Sequence, residues 1–110
     1  MNMDFFELQA LSQMQASFKN TKEFNGVRVV MVDHVDQYRE DFKVTVYGEG
    51  EYWDLEITIL EGQILISGFE DESVVGSGTI ALKYREGEKS CNTVARCLSR
   101  IAEEIEFRSN

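Results

Sequence analysis

The fold is decided by residues 42–59, whose sequence is FKVTVYGEGEYWDLEITI. Apolar side chains occupy alternate positions on both sides of a glycine-containing centre, which is the pattern of two strands that each bury one face. A loop at Gly48-Glu49-Gly50-Glu51 places Tyr47 opposite Tyr52 and brings the apolar residues of both strands onto one side. The stretch therefore predicts an antiparallel hairpin with one apolar and one polar face.

A second hairpin follows directly along the chain. A turn at Glu61-Gly62 pairs Leu60 with Gln63, and this register puts the apolar residues of 64–66 on the same face as those of the first hairpin. Two further runs are rich in β-branched or alternating apolar residues. Because the connections are short, we expect five antiparallel strands in meander order, at 27–32, 42–47, 53–59, 64–67 and 79–84.

Two amphipathic helices are predicted to flank the strands. Asp4 and Glu7 have the spacing of a capping box ahead of a helix over about 5–19. Ser90 or Asn92 can cap a second helix, in which apolar residues recur at helical spacing. The other face of the first helix carries Gln and Ser and almost no charge, so it is either an ordinary solvated face or a surface open to a second contact.

These elements make an α+β fold of one domain, residues 1–110. We expect the order α-β-β-β-β-β-α: a five-stranded antiparallel meander sheet with the N- and C-terminal helices packed on its apolar face.

The charge of the chain is strongly negative, with 20 acidic residues against 11 Lys and Arg and a net charge of −9. Between Val44 and Leu82 there are eight carboxylates and no Lys, Arg or His. Such a surface repels nucleic acid and anionic lipid and attracts basic partners. We therefore expect a basic protein partner, with no direct nucleic-acid contact and no membrane contact.

The sequence also predicts a cytoplasmic location. No apolar run approaches the roughly 18 residues that cross a bilayer, and the N-terminal residues lack the basic and apolar regions of a signal peptide. Cys91 and Cys97 are expected on one helix, pointing to different sides, where a disulfide between them is unfavourable. Two free thiols are typical of a reducing compartment.

The residue types that carry catalysis or bind metals do not converge. His34 is the only histidine; Asp33 should point away from it, and Asp36 is expected in the following loop. A metal site needs at least three converging ligands. Cys91 lies in the first turn of its helix, where a lowered pKa is conceivable, but a small, partly buried residue is the simpler interpretation. We therefore predict no catalytic residue, no metal site and no cofactor.

The acidic residues are expected to gather at one end of the sheet. In a meander, the loops 48–51 and 70–78 emerge at the same end, and two valines in the second loop are either tucked over the sheet edge or offered to a partner. Outward-facing Leu65 and Phe69, with two tyrosines of the hairpin, add apolar area of the kind found in interfaces. The alternative is an acidic surface that only keeps the protein in solution. The predicted partner-binding residues are Glu49, Glu51, Asp54, Glu56, Glu70, Asp71, Glu72, Val74, Val75, Tyr47 and Tyr52.

Three classes of function follow from this pattern. The first is a small acidic, non-enzymatic protein-binding module, for example an inhibitor or immunity-type partner of a basic, nucleic-acid-binding protein. The second is a homodimeric accessory or chaperone-like protein that holds a partner segment through apolar contacts. The third is an enzyme that uses Asp54 and Glu56 with Tyr47 or Tyr52. The third is the weakest, because an open sheet face rarely desolvates a carboxylate enough to raise its pKa.

Overall fold

A computed structural model describes residues 4–69 and 78–109. The helices are α1 (Phe5–Asn20) and α2 (Ser90–Ser109), and the strands are β1 (Glu23–Asn25), β2 (Val29–Gln37), β3 (Asp41–Gly48), β4 (Glu51–Leu60), β5 (Gln63–Ser67) and β6 (Thr79–Lys83). All neighbouring strands are antiparallel and follow the order β1-β2-β3-β4-β5-β6. The predicted α+β meander with terminal helices is confirmed. The sheet has six strands rather than five, because the short β1 adds an edge strand ahead of Gly26.

The predicted register of both hairpins is confirmed. Tyr47 pairs with Tyr52, and Leu60 pairs with Gln63. The first turn is tighter than expected, since the ladder extends to Gly48 opposite Glu51. Its central residues, Glu49 and Gly50, have φ of 55° and 79°. Two left-handed residues in succession match the twist of the flanking strands, and this match favours glycine at the second position.

Strand β2 runs further than the sequence indicated and contains a register shift between Val32 and His34. The prediction that Asp36 lies in a loop is wrong, because Asp36 is within the strand and pairs with Lys43. His34 and Asp36 share a face, and His34 Nε2 lies 2.7 Å from Asp36 Oδ1. The extra residue at the bulge lets the strand continue with Val35 turned toward the core.

The core lies between one face of the sheet and both helices. Helix α2 buries the predicted stripe, with its four residues no more than 2% exposed: Val94, Leu98, Ile101 and Ile105. Helix α1 contributes Leu11, Met14 and Phe18, and the Phe18 ring lies 5.4 Å from the Phe42 ring. The placement of both helices on the apolar face therefore follows from two apolar stripes meeting one apolar sheet face.

Polar contacts fix α1 at its start and along its buried side. The predicted capping box is present: the Glu7 amide donates to Asp4 Oδ1 at 2.7 Å, and the Asp4 amide donates to Glu7 Oε1 at 3.3 Å. Gln15 is buried, and its side-chain amide donates to the carbonyls of Tyr38 and Asp41, both at 3.2 Å. The helix is thus tied to the turn between β2 and β3 by a buried amide whose donors are satisfied.

The start of α2 differs from the prediction. Ser90 is already helical, and the Lys89 carbonyl accepts hydrogen bonds from the amides of Asn92 and Thr93. Neither Ser90 nor Asn92 therefore acts as the cap. Instead the Ser17 hydroxyl donates to the Ser90 hydroxyl at 2.8 Å and joins the two helices.

An ion-pair cluster attaches α2 to the end of β6. The Arg96 guanidinium donates to both Glu88 oxygens, with Nη2 at 2.7 Å from Oε1, and Nη2 also donates to the Lys83 carbonyl at 3.0 Å. The Tyr84 amide donates to the Gly62 carbonyl, so the backbone groups of Tyr84 point toward β5. Adjacent residues of a strand point their backbone groups to opposite sides, and the Lys83 carbonyl therefore points away from β5, to the free edge of the sheet.

Further along α2, Arg100 and Arg108 each lie 3.0 Å from a carboxylate oxygen of Glu104, and both pairs have i, i+4 spacing. Cys91 is exposed and Cys97 is buried, and neither forms a disulfide. Neither α1 nor α2 combines the length and the apolar composition needed to cross a membrane.

Candidate functional site

The outer face of the sheet, on the side away from the helices, carries a row of large exposed side chains. The register places Met31 opposite Tyr47 and Tyr47 opposite Tyr52, across β2, β3 and β4. Their exposed fractions are 41%, 39% and 65%. The two tyrosine rings lie 4.9 Å apart at 57°. Each ring thus supports the other, as in a cross-strand aromatic pair.

The neighbouring rows on the same face are polar and carry three carboxylates. Thr45 pairs with Asp54, and the Thr45 hydroxyl donates to Asp54 Oδ1 at 2.8 Å. In the next row Lys43 lies between two carboxylates, with Asp36 opposite it on β2 and Glu56 opposite it on β4. The single lysine of this row is therefore outnumbered, and the face keeps a negative bias beside the tyrosines.

Apolar exposure extends past Met31 to the sheet edge. Val27 and Val29 are 58% and 51% exposed. With Met31, Tyr47 and the turn at Glu49 they line a shallow pocket of about 450 Å³. The sequence reasoning missed these three apolar residues as site residues. The sequence does contain a sign of this surface: the run VRVVMV at 27–32 is apolar at five of six positions. A strand with one solvent-exposed face normally alternates apolar and polar residues, so this run indicates apolar side chains on both faces.

The turn between β3 and β4 is less acidic than its sequence indicates. Arg28 Nη1 lies 3.2 Å from Glu49 Oε1, so the Glu49 charge is partly offset. Arg28 Nε is buried and has no hydrogen-bond partner among residues 4–69 and 78–109. Glu51 is exposed, but it pairs with Gly48. Gly48 faces Ile105 of α2, so it lies on the helix side of the sheet. Glu51 pairs with Gly48 and therefore also points to the helix side rather than to the outer face.

The structure thus brings together four of the predicted partner-binding residues on the outer face: Tyr47, Tyr52, Asp54 and Glu56. Glu49 lies at the adjoining turn, and Glu51 lies beside it with the opposite orientation. Five predicted residues fall outside the described parts of the chain: Glu70, Asp71, Glu72, Val74 and Val75.

The prediction that Phe69 faces outward is wrong. Phe69 is only 1% exposed, its ring lies 5.5 Å from the Trp53 ring, and the Arg108 guanidinium lies over it at 5.5 Å. The chain leaves the ladder after Ser67, and Gly68 adopts φ of 120°, so Phe69 folds onto the helix side of the sheet. Leu65 is half-buried in an outer-face row between Thr58 and Ala81.

Comparison of the chain with protein-family models, with curated proteins and with solved structures finds no match.

The titratable groups with shifted pKa values lie away from the outer face. Burial raises the pKa of the Cys97 thiol to about 12, so this thiol is protonated at neutral pH. The hydrogen bond from Arg96 is the main cause that lowers the pKa of Glu88. Within residues 4–69 and 78–109, no group of three or more His, Cys, Asp or Glu side chains is arranged to hold a metal ion.

Proposed function

We propose that this protein is a small acidic, non-enzymatic binding module that docks a basic protein partner on the outer face of its sheet. The observation that supports this most directly is the exposed row Met31–Tyr47–Tyr52 beside the carboxylates of Asp54 and Glu56. Aromatic side chains surrounded by a polar rim are characteristic of the energetically dominant centre of protein interfaces.

The tyrosine row supplies the apolar part of the proposed contact. Tyr52 is 65% exposed, so covering its ring removes a large apolar area from water. Because the ring pair is already in contact at 4.9 Å, little side-chain freedom remains to be lost on binding. Such rigid anchors favour a slow dissociation rate.

The carboxylates supply direction and selectivity. A net charge of −9 accelerates the encounter with a basic surface, and Asp54 and Glu56 lie next to the apolar row where they can meet Lys or Arg at the rim of the contact. An inhibitor or immunity-type partner of a basic, nucleic-acid-binding protein fits this combination. The same charge opposes direct contact with nucleic acid or an anionic membrane.

A reducing, cytoplasmic location belongs to this proposal. It is supported by two unpaired cysteines, one of them fully buried.

The test is retention of a partner from a lysate of the natural source, eluted in steps of rising salt, with three variants beside the wild type. D54N/E56Q should release the partner at lower salt, because two rim charges are gone. Y52S should weaken retention at every salt concentration. E61Q/E103Q removes one exposed carboxylate from the turn between β4 and β5 and one from α2, neither of them in the rows of the outer face, and serves as the matched control. Equal elution of D54N/E56Q and E61Q/E103Q would contradict the proposal.

The alternative is a homodimeric accessory or chaperone-like protein that binds through apolar contacts. Exposed Val27 and Val29 favour it, because they enlarge the apolar area next to Met31. Self-association through the outer face would, however, bring Asp54 and Glu56 near the same residues of a second copy. Sedimentation equilibrium at low and high salt separates the two: a dimer lost in V29S supports the alternative, and a monomer at all concentrations opposes it.

A further inference from the structure

A second surface lies at the opposite side of the molecule, on the uncharged face of α1. A groove of about 370 Å³ separates α1 from the segment that joins β6 to α2. Gln9 and Gln13 of the Gln-rich helix face form one wall, and Tyr84 and Glu86 belong to the other. This volume is within the range of small-ligand sites, roughly 300–1,000 Å³.

The groove has an apolar floor and an aromatic rim. Met14 is 1% exposed, and Ala10 is partly buried beside it. Phe6 is 64% exposed at the mouth, and the half-buried Tyr84 ring lies across from it. An alkyl chain lying on Met14 and Ala10 would therefore pass between two aromatic rings.

The lining of the groove is acidic. Glu86 and Glu88 line it, and Glu7 lies three residues before Ala10 on α1, which is the spacing of neighbours on one helix face. Burial raises the pKa of Tyr84, and the charges of Glu86, Asp4 and Glu7 raise it further. Within residues 4–69 and 78–109, none of these three forms an ion pair. Asp4 and Glu7 accept only backbone hydrogen bonds, at the helix start.

Two arginines beside the groove are already engaged. Arg96 donates to both oxygens of Glu88, and Arg85 lies 3.8 Å from Glu88 Oε2. Glu88 is therefore a lining carboxylate whose charge is offset. Glu86 also lines the groove, and it forms no ion pair within residues 4–69 and 78–109.

We propose that this groove receives an arginine side chain from a protein partner. The aliphatic part lies on Met14 and Ala10, and the guanidinium lies against the aromatic rim, facing Glu7 and Glu86. Arginine suits such a site because its planar cation stacks on aromatic rings and donates to carboxylates and to glutamine carbonyl oxygens at the same time.

This groove is separate from the outer face, so either proposal can fail alone. A partner that uses both would contact the sheet with its apolar surface and α1 with a basic extension. Substitutions at Asp54 and Glu56 report on the outer face, whereas substitutions at Glu7 and Glu86 report on the groove.

The test is an NMR titration of the ¹⁵N-labelled protein with N-acetyl-arginine methylamide, and with the citrulline analogue, which keeps the shape and removes the charge. We expect saturable shifts of the backbone amides of Gln9, Gln13, Tyr84 and Gly87 with the arginine compound and none with citrulline. E7Q/E86Q should weaken binding by at least about threefold, and Gln at position 7 preserves the capping box.

Two controls keep the result decisive. D54N/E56Q removes the same charge from the outer face, and E103Q removes one exposed carboxylate from a later turn of α2; both should leave the titration unchanged. Equal shifts with citrulline, shifts scattered over the acidic surface, or equal weakening by D54N/E56Q would each overturn the proposal.

Discussion

Replacement of Glu88 by Gln tests the ion-pair cluster that holds α2 to the sheet. The Glu88 side chain is 13% exposed. It accepts from Arg96 through Nε and Nη2 and from the Thr93 hydroxyl at 2.8 Å. In E88Q an amide oxygen at the Oε1 position can still accept from Thr93 and from Nε and Nη2 of Arg96, but the negative charge is lost and the NH₂ group at the Oε2 position faces the Nε donor.

The magnitude follows from these contacts. An exposed ion pair contributes at most about 1 kcal/mol to stability, whereas removal of one partner of a fully buried pair costs about 3–5 kcal/mol. The Glu88 and Arg96 side chains are mostly but not fully buried, so we expect the free energy of unfolding to fall by about 2 kcal/mol at pH 7, which corresponds to roughly 8 °C in Tm for a chain of this size. Little screening discount is needed, because Arg96 is also only 22% exposed.

The pH dependence gives an independent check. The folded protein lowers the pKa of Glu88 below its ordinary value near 4.5, chiefly through the Arg96 hydrogen bond. A depressed carboxyl pKa contributes stability above the unfolded-state value, and this contribution is lost as the pH falls through the folded-state value. The difference between wild type and E88Q should therefore be full at pH 7 and should shrink below about pH 4.5.

Urea denaturation followed by tryptophan fluorescence measures both effects, with E103Q as the control. Glu103 is exposed on the same helix, and its replacement should change stability by less than about 0.5 kcal/mol. The reasoning is refuted if E88Q matches E103Q at pH 7, or if the E88Q deficit stays constant down to pH 3.

Two further predictions concern the thiols and one glycine. A thiol reagent should modify Cys91 in the native protein and Cys97 only after unfolding, because burial protects Cys97 and raises its pKa to about 12; two fast native reactions would contradict this. Gly68→Ala should destabilise the protein by more than about 2 kcal/mol, since the residue has φ of 120° and a Cβ would lie 2.3 Å from the Asp54 carbonyl oxygen. Gly50→Ala is the control in the same denaturation assay, with positive φ but open space, and an equal loss would show that the close approach does not matter.

The sequence predicts strand pairing correctly where the alternation of apolar and polar residues and the turn residues indicate the same register. The pairing of Tyr47 with Tyr52 followed from parity alone, and so did the common face of Asp54 and Glu56. The same parity already separates Glu51 from Tyr52, because adjacent strand residues point to opposite sides. The sequence interpretation places Glu51 in the loop at the end of the sheet, whereas in the structure Glu51 is the first residue of β4 and pairs with Gly48.

Other features depend on contacts that no local pattern records. Strand β1 has only three residues, with Phe24 as its one core-facing side chain, which is too short a pattern to predict a strand. It forms because the chain reverses at Gly26, whose amide donates to the Arg28 carbonyl. The bulge near Asp33 is defined by the pairing of β2 with β3, so the sequence of β2 alone does not indicate it. The groove joins residues near positions 6–14 to residues near 84–93, which come together only through the packing of the two helices.

The contact between Arg96 and the Lys83 carbonyl has a consequence for how molecules of this protein meet. The last strand of an open sheet is a template on which a second chain can polymerise. Here the guanidinium occupies an acceptor at one edge, and the opposite edge strand has only three residues. Loss of Arg96 would therefore loosen the attachment of α2 and uncover an acceptor on the strand edge at the same time, so a variant chosen to weaken one helix contact should also aggregate more readily.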